Sequence, residues 1–377
     1  MQSRLWREYN WPLLICVVVL LVFSALALYS ATLNAMARTG IPLSRIYPWH
    51  LVYIVAGLAA MMVMTFFNYQ LLSSLARPIY IGGIVLLLLV LTIGRVSEGA
   101  RSWLEIGTRT FQPTEVVKLG VIIALAAYWQ HFEAQSGRWL IQLGGLLIAA
   151  VPTLMVLIQP DLGSAVVIVA IWAVMAWGAG MRMSQVLALF LLIAPVLYVG
   201  WATDQLLDDY QKRRLFTFYY LLVDPSQADF NDSYNVVQAL NAIGQGGLFG
   251  AGLTHGLFSQ GNYVPVQHTD FIFAVVGEEM GFIGGMMLII FQALLLWQTL
   301  TIAQQARDKF GRLIALGIFG MFFCHMVINL GMNLSLLPVT GLPLPLISAG
   351  GSFMITVLAA IGILQSIALR RQRLSLA

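Results

Sequence analysis

The chain predicts an all-α, polytopic membrane bundle of about ten transmembrane helices, with one large extracytoplasmic loop before the eighth. Three observations carry this prediction. Of 377 residues, 59% are hydrophobic and only 10% are charged. The mean hydropathy is +0.84, whereas a soluble chain of this length exposes far more charge. Apolar runs near the ~20 residues needed to cross a bilayer recur from end to end.

The first run, 11–31, follows Arg4 and Arg7 and contains Ala25-Leu26-Ala27. That pattern mimics a signal peptide, but the run is longer than a usual signal core and is expected to be retained as a span. Further runs lie at 49–67, 78–94, 113–130, 141–158, 164–181 and 185–202. The polar interval 203–269, roughly 65 residues, is near the lower limit for independent folding and is expected to pack on the bundle. The eighth run, 270–300, is too long for one crossing, so its first turns should stand above the membrane. Runs at 312–337 and 348–369 complete the set, and residues 1–377 read as a single transmembrane domain. Cys16 and Cys324 both fall within apolar runs and read as core cysteines.

Lys and Arg in the flanks set the orientation. With a cytoplasmic N-terminus, eleven lie on the inner side and five in short outer loops. Both termini are therefore expected in the cytoplasm. The 95–112 loop, the 159–163 turn, the long loop and Asp270 then share the outer face. Any chemistry there works without ATP, and the chain contains no Gly-x-x-x-x-Gly-Lys-Ser/Thr loop. The net charge of +4 and the lack of a basic run exclude nucleic acid as the natural partner.

The residues able to carry chemistry each have a plainer reading. In Gln112-Pro113-Thr114-Glu115-Val116-Val117-Lys118, Pro113 suits the first helical position. Glu115 and Lys118 share a helix face. They form either an internal ion pair or the lining of a polar cavity. Asp161, in Gln159-Pro160-Asp161-Leu162-Gly163, either caps the sixth span or adds polarity to an outer cleft. Arg101, beside Trp103, either grips phosphate or anchors the chain at the interface. Asp270, in His268-Thr269-Asp270-Phe271-Ile272-Phe273, either caps the eighth helix or accepts a proton or cation. A carboxylate beside an apolar run is costly, and such groups mark functional sites.

Taken together, these stretches resemble the SEDS family of RodA, FtsW and SpoVE, with RodA the nearer branch. The resemblance runs through Gln112-Pro113-Thr114-Glu115 with Lys118, Gln159-Pro160-Asp161-Leu162-Gly163 and Ala242-Ile243-Gly244-x-Gly246-Gly247. It continues through His268-Thr269-Asp270-Phe271-Ile272-Phe273 with Glu278-Glu279, then Asn329, Pro338, Gly341-Leu342-Pro343-Leu344-Pro345 and Ser348-Ala349-Gly350-Gly351-Ser352. The chain departs from the family pattern at Ala251, Val266, Ser335, Ala349 and Phe353.

The resemblance implies a peptidoglycan glycosyltransferase that polymerises lipid II outside the cytoplasmic membrane, for cell-wall elongation and cell shape. It implies Asp270 as the catalytic residue, a divalent cation (Mg or Mn) with Asp270 as a ligand, and a class B penicillin-binding transpeptidase as partner. Arg101, Glu115, Lys118, Asp161, His268, Thr269 and Ser348 are the expected substrate-binding residues. One inverting displacement favours Asp270 as general base over nucleophile. The rival readings are a lipid II flippase and a non-catalytic scaffold of a cell-wall complex.

Overall fold

The computed structural model describes residues 8–34, 43–97, 100–106, 109–182, 184–189, 191, 209–224 and 229–371. Helices α1 (Trp11–Leu33), α2 (Ile46–Phe66) and α3 (Leu71–Ile93) lead into a three-stranded antiparallel ribbon of β1 (Arg95–Ser97), β2 (Ala100–Ile106) and β3 (Arg109–Phe111). Then follow α4 (Pro113–His131), α5 (Trp139–Ile158) and α6 (Leu162–Ala179). The predicted span 185–202 lies largely outside the described residues. The polar interval contains α7 (Asp209–Val223), α8 (Phe230–Gln245) and the short α9 (Leu257–Gln260). The chain closes with α10 (Ile272–Gln305), α11 (Lys309–Asn333) and α12 (Gly351–Leu369).

Eight of these helices are long and apolar enough to cross a membrane. The α4 helix, which carries Glu115 and Lys118, falls short of that apolarity but packs in the bundle between α3 and α11. The bundle is built from antiparallel pairs, α3 with α4, α6 with α11, and α10 with both α11 and α1, while α2 and α12 pack side by side in the same direction, Tyr53 against Gly351 and Met61 against Gly362. Of the spans, α12 is the most buried, while α2 and α3 turn most of their surface outward. Free Cys16 and Cys324 are buried among apolar side chains.

The α10 helix departs from the expected continuous rod. Its backbone breaks at Gly281, with φ 66° and ψ −167°. The break removes helical hydrogen bonds, and a buried backbone group without a partner is costly. The glycine-rich loop supplies the missing partners. Ala251 and Gly252 donate to the carbonyls of Glu278 and Glu279, at 2.9 and 3.0 Å. Phe282 and Ile283 donate to the carbonyls of Gly247 and Leu248, at 2.8 and 3.2 Å. A side chain at Gly281 would collide with Gly250 and Leu248, so this close crossing of two backbones requires glycine.

The acid pair just before the break is spent on the same loop. Glu278 is fully buried and accepts the N–H groups of Phe258 (2.6 Å) and Ser259 (2.8 Å), the open donors at the start of α9. Glu279 accepts from Ser30, Ser259, Gln260 and the Thr254 N–H, at 2.6–3.1 Å. The two acids therefore tie the long loop to α1 and α10.

Candidate active site

Asp270 directly precedes Phe271, the N-cap residue of α10, whose side chain makes no capping bond. The capping is done from α11. The Asn333 side-chain oxygen accepts the Ala274 N–H at 3.2 Å, and its amide donates to the Asp270 carbonyl at 2.9 Å. Asn329, one turn away, donates to the same carbonyl at 3.0 Å and to the Leu342 carbonyl at 2.8 Å. A further turn along, His325 Nδ1 lies 3.0 Å from the Pro343 carbonyl. His325, Asn329 and Asn333 recur every fourth residue, so they form one polar stripe on α11. That stripe fixes both the Asp270 backbone and the 341–345 loop.

The stripe continues into α4. Lys118 Nζ lies 3.0 Å from His325 Nε2 and pairs with Glu115 at 2.8 Å. All three side chains are buried. With Nδ1–H donating to Pro343, Nε2 is left as the acceptor for the Lys118 ammonium, which fixes a neutral imidazole. Glu115 and Lys118 thus form the internal ion pair, and they support the loop from beneath through His325.

Asp161 caps α6, accepting the Ser164 N–H at 2.9 Å, and its other oxygen accepts from Gln112 at 3.1 Å. A side chain at Gly163 would lie 2.9 Å from the Thr340 carbonyl, so the start of α6 abuts the same loop. The next residue, Gly341 (φ 74°), faces the Asp270 carboxylate: a Cβ there would lie 3.5 Å from Oδ2. Asp161 is therefore a cap, and the helix it caps abuts the loop that faces Asp270.

Ser348 is buried; its hydroxyl donates to the Thr269 carbonyl at 2.6 Å and accepts the Leu344 N–H at 2.8 Å. It locks the Asp270 segment to the 341–348 loop. Val266 stands in the left-handed region at φ 52° and accepts the N–H groups of Thr269 and Asp270, both at 3.2 Å. A β-branched residue adopts that φ only under strain, and strained backbone clusters at functional sites.

His268 and Thr269 line a cavity of about 530 Å³ that also takes in Arg45, Trp49, Trp103 and Thr110. The His268 Nδ1 is buried and has no hydrogen-bond partner among the described residues. Burial holds its imidazole well down, at about 4, so the ring is neutral near pH 7. Arg101 pairs with Val96 in the β1–β2 ribbon beside this cavity, and its side chain lies outside the described structure.

The stripe of His325, Asn329 and Asn333 and the cation Arg214 were not among the expected substrate-binding residues. Arg214, on α7, donates to the Val339 carbonyl at 3.1 Å, two residues from Gly341. Polar residues at i, i+4 and i+8 in an apolar run were the available signal for the stripe. Among the described residues no three His, Cys, Asp or Glu side chains gather to hold a metal ion. The carboxylates of Asp161 and Glu115 are committed to a cap and an ion pair.

Residues 11–373 match the family model described as cell cycle protein, covering FtsW, RodA and SpoVE. The chain is 34% identical to the peptidoglycan glycosyltransferase MrdB of Escherichia coli K12, over 96% of this chain and 94% of that protein. It is 30% identical to the peptidoglycan glycosyltransferase RodA of Treponema pallidum, over 98% of this chain and all of that protein. Its fold is similar to a chain in a solved structure described as "Structural coordination of polymerization and crosslinking by a peptidoglycan synthase complex". That match has a TM-score of 0.77 and 31% identity, and covers 96% of this chain and 98% of the other. It is also similar to the crystal structure of the rod shape determining protein RodA of Thermus thermophilus, with a TM-score of 0.68, 28% identity, and coverage of 97% and 98%. With a match from residue 11 to residue 373 and these relatives along its length, the chain belongs to the FtsW/RodA/SpoVE family.

Proposed function

We propose that this protein is a peptidoglycan glycosyltransferase that polymerises lipid II at the outer face of the cytoplasmic membrane, with both termini in the cytoplasm. The observation that carries this reading is the trans-capping of α10 by Asn333. The same side chain holds the Asp270 carbonyl, and the half-buried Asp270 faces Gly341 of the 340–345 loop, which abuts the start of α6.

In the proposed reaction the acceptor sugar hydroxyl gives its proton to the Asp270 carboxylate. Its oxygen attacks the anomeric carbon of the growing chain, and the bond from that carbon to the lipid pyrophosphate oxygen breaks. One displacement inverts the anomeric centre, and the departing pyrophosphate takes the electron pair without needing an acid. Its charge calls for a cation, and Arg214 stands beside the loop for that task. Asn329, Asn333 and Ser348 position Asp270, while Glu115, Lys118 and His325 hold the loop. A divalent cation, if it takes part, is expected to arrive with the pyrophosphate, as Mg²⁺ commonly does with phosphate substrates. The partner is a class B penicillin-binding transpeptidase seated on the outer side of α10 and α11, and the setting is cell-wall elongation.

The test is polymerisation of lipid II by the purified complex, comparing Asp270→Ala and Asp270→Asn with the unsubstituted protein. Glycan strands should be absent from both variants while the helical content stays the same. Full-length strands from both variants would remove Asp270 from the chemistry. Lipid II crossing vesicle bilayers without any polymer would make the protein a flippase instead. No polymer and no translocation would leave the scaffold reading.

A further inference from the structure

A second cavity, of about 820 Å³, opens between α3, α4 and α5 at the end of the bundle away from Asp270. Its size falls within the range of small-ligand sites. Ser73, Arg77, Tyr80, Tyr128, Gln130 and His131 supply its polar lining, and no Asp or Glu lines it. Ser73 is satisfied by Gln130 at 3.1 Å, and Tyr80 by the Ile148 carbonyl at 2.9 Å. The Arg77 guanidinium, the Tyr128 hydroxyl and the His131 ring make no hydrogen bond among the described residues. Tyr128 and His131 instead pack on the Phe132 ring, with centroids 5.1 and 4.8 Å away.

Arg77 is the seventh residue of α3, about 9 Å along the helix from its start. An arginine at that depth ordinarily extends toward the membrane surface. Here the exposed Arg77 side chain also borders a half-open space that Tyr128 and His131 share. The flanking surfaces of α3 and α5 expose Leu75, Leu140 and Leu147, which suit acyl chains. Guanidinium and hydroxyl donors without a carboxylate match phosphate oxygens, and basic pockets between membrane helices take anionic headgroups.

We propose that this cavity binds the phosphodiester headgroup of an anionic phospholipid from the leaflet opposite the Asp270 end. The test is native mass spectrometry of the full chain released from bilayer discs made of phosphatidylglycerol and phosphatidylcholine with identical acyl chains. The unsubstituted protein should retain phosphatidylglycerol about tenfold over phosphatidylcholine. Arg77→Gln with His131→Gln should erase that preference, Arg77→Lys should keep most of it, and the charge-matched control Arg182→Gln should leave it intact. Equal retention of the two lipids by the unsubstituted protein would overturn the proposal without reliance on any variant. So would an equal loss in the Arg182→Gln control, or complete displacement of lipid by inorganic phosphate at the concentration of lipid phosphate, which would mark a site for the free anion.

Discussion

The Asn333 amide holds the Asp270 main-chain carbonyl at 2.9 Å while its oxygen caps α10 at Ala274. One side chain on α11 therefore sets both the start of α10 and the position of the residue before its cap. Asn333→Ala should lower kcat for glycan polymerisation roughly tenfold, about what 1.4 kcal/mol of misplacement costs. KM should change little, since the loss falls on the reacting group. Steady-state assays of the variant would show a fault in binding instead if KM rose and kcat held.

Lys118 is the buried partner of Glu115. Lys118→Met leaves a carboxylate alone in the bundle and should cost about 3–5 kcal/mol. Adding Glu115→Gln should recover most of that loss. Thermal melts of the two single variants and the double variant in detergent measure the coupling, and additive losses would refute it.

His268 is half-buried, and the loss of water around its ring holds the imidazole at about 4 against an ordinary 6.5. The unfolded chain takes up that proton first as the pH falls. This group's contribution is thus level above about pH 6.5 and turns against the fold between about 6.5 and 4. The melting temperature of His268→Asn should fall less than that of the unsubstituted protein between pH 7 and pH 4.5. Parallel curves would remove His268 as the cause.

Gly281 and Gly244 give a paired test of the α10 break. Gly281→Ala puts a Cβ at φ 66° and 2.7 Å from the Leu248 carbonyl. With ψ at −167° the backbone there lies in a region essentially reserved for glycine, which costs an alanine about 1–3 kcal/mol, and the collision adds to that. Gly244→Ala meets nothing within 4 Å and should be neutral or slightly stabilising. Limited proteolysis at 246–252 should quicken in the first variant only.

Paramagnetic resonance of Mn²⁺ provides a test of the cation. With no cluster of three ligating side chains described, Mn²⁺ should bind weakly to the protein alone and tightly once a lipid pyrophosphate is added. Tight stoichiometric binding to the protein alone, abolished in Asp270→Asn, would reveal a resident site.

The spans were legible because length and apolarity alone decide whether a segment can cross a bilayer. Boundaries were less so. The third helix begins at Leu71 and runs through Pro78, where the sequence places its start; a proline in a membrane helix is tolerated where neighbours satisfy the released backbone group. The β1–β3 ribbon was hidden because its short strands carry charge and no clear alternation. At the site, Asp270 stood out as a carboxylate beside an apolar run. Its holders did not, because Asn329 and Asn333 act through amides whose partners lie 59 and 63 residues away along the chain. The oddity at Val266 was visible as a residue type, but its strained φ was not.

The break at Gly281 fixes where a lipid-linked sugar would be met. From Phe282 to Gln305, α10 rises about 36 Å, and α11 rises about 37 Å. The two are joined by a short connection at 306–308, so Gly281 and Asn333 end at one height. Asp270 is bound to Asn333, so it shares that height, and residues 271–280 run across the end of the bundle instead of outward. On the proposed reading, the pyrophosphate is cleaved in the plane of the surrounding lipid phosphates. The prenyl tail then keeps its natural depth throughout the cycle, and the nascent strand must leave along the membrane surface.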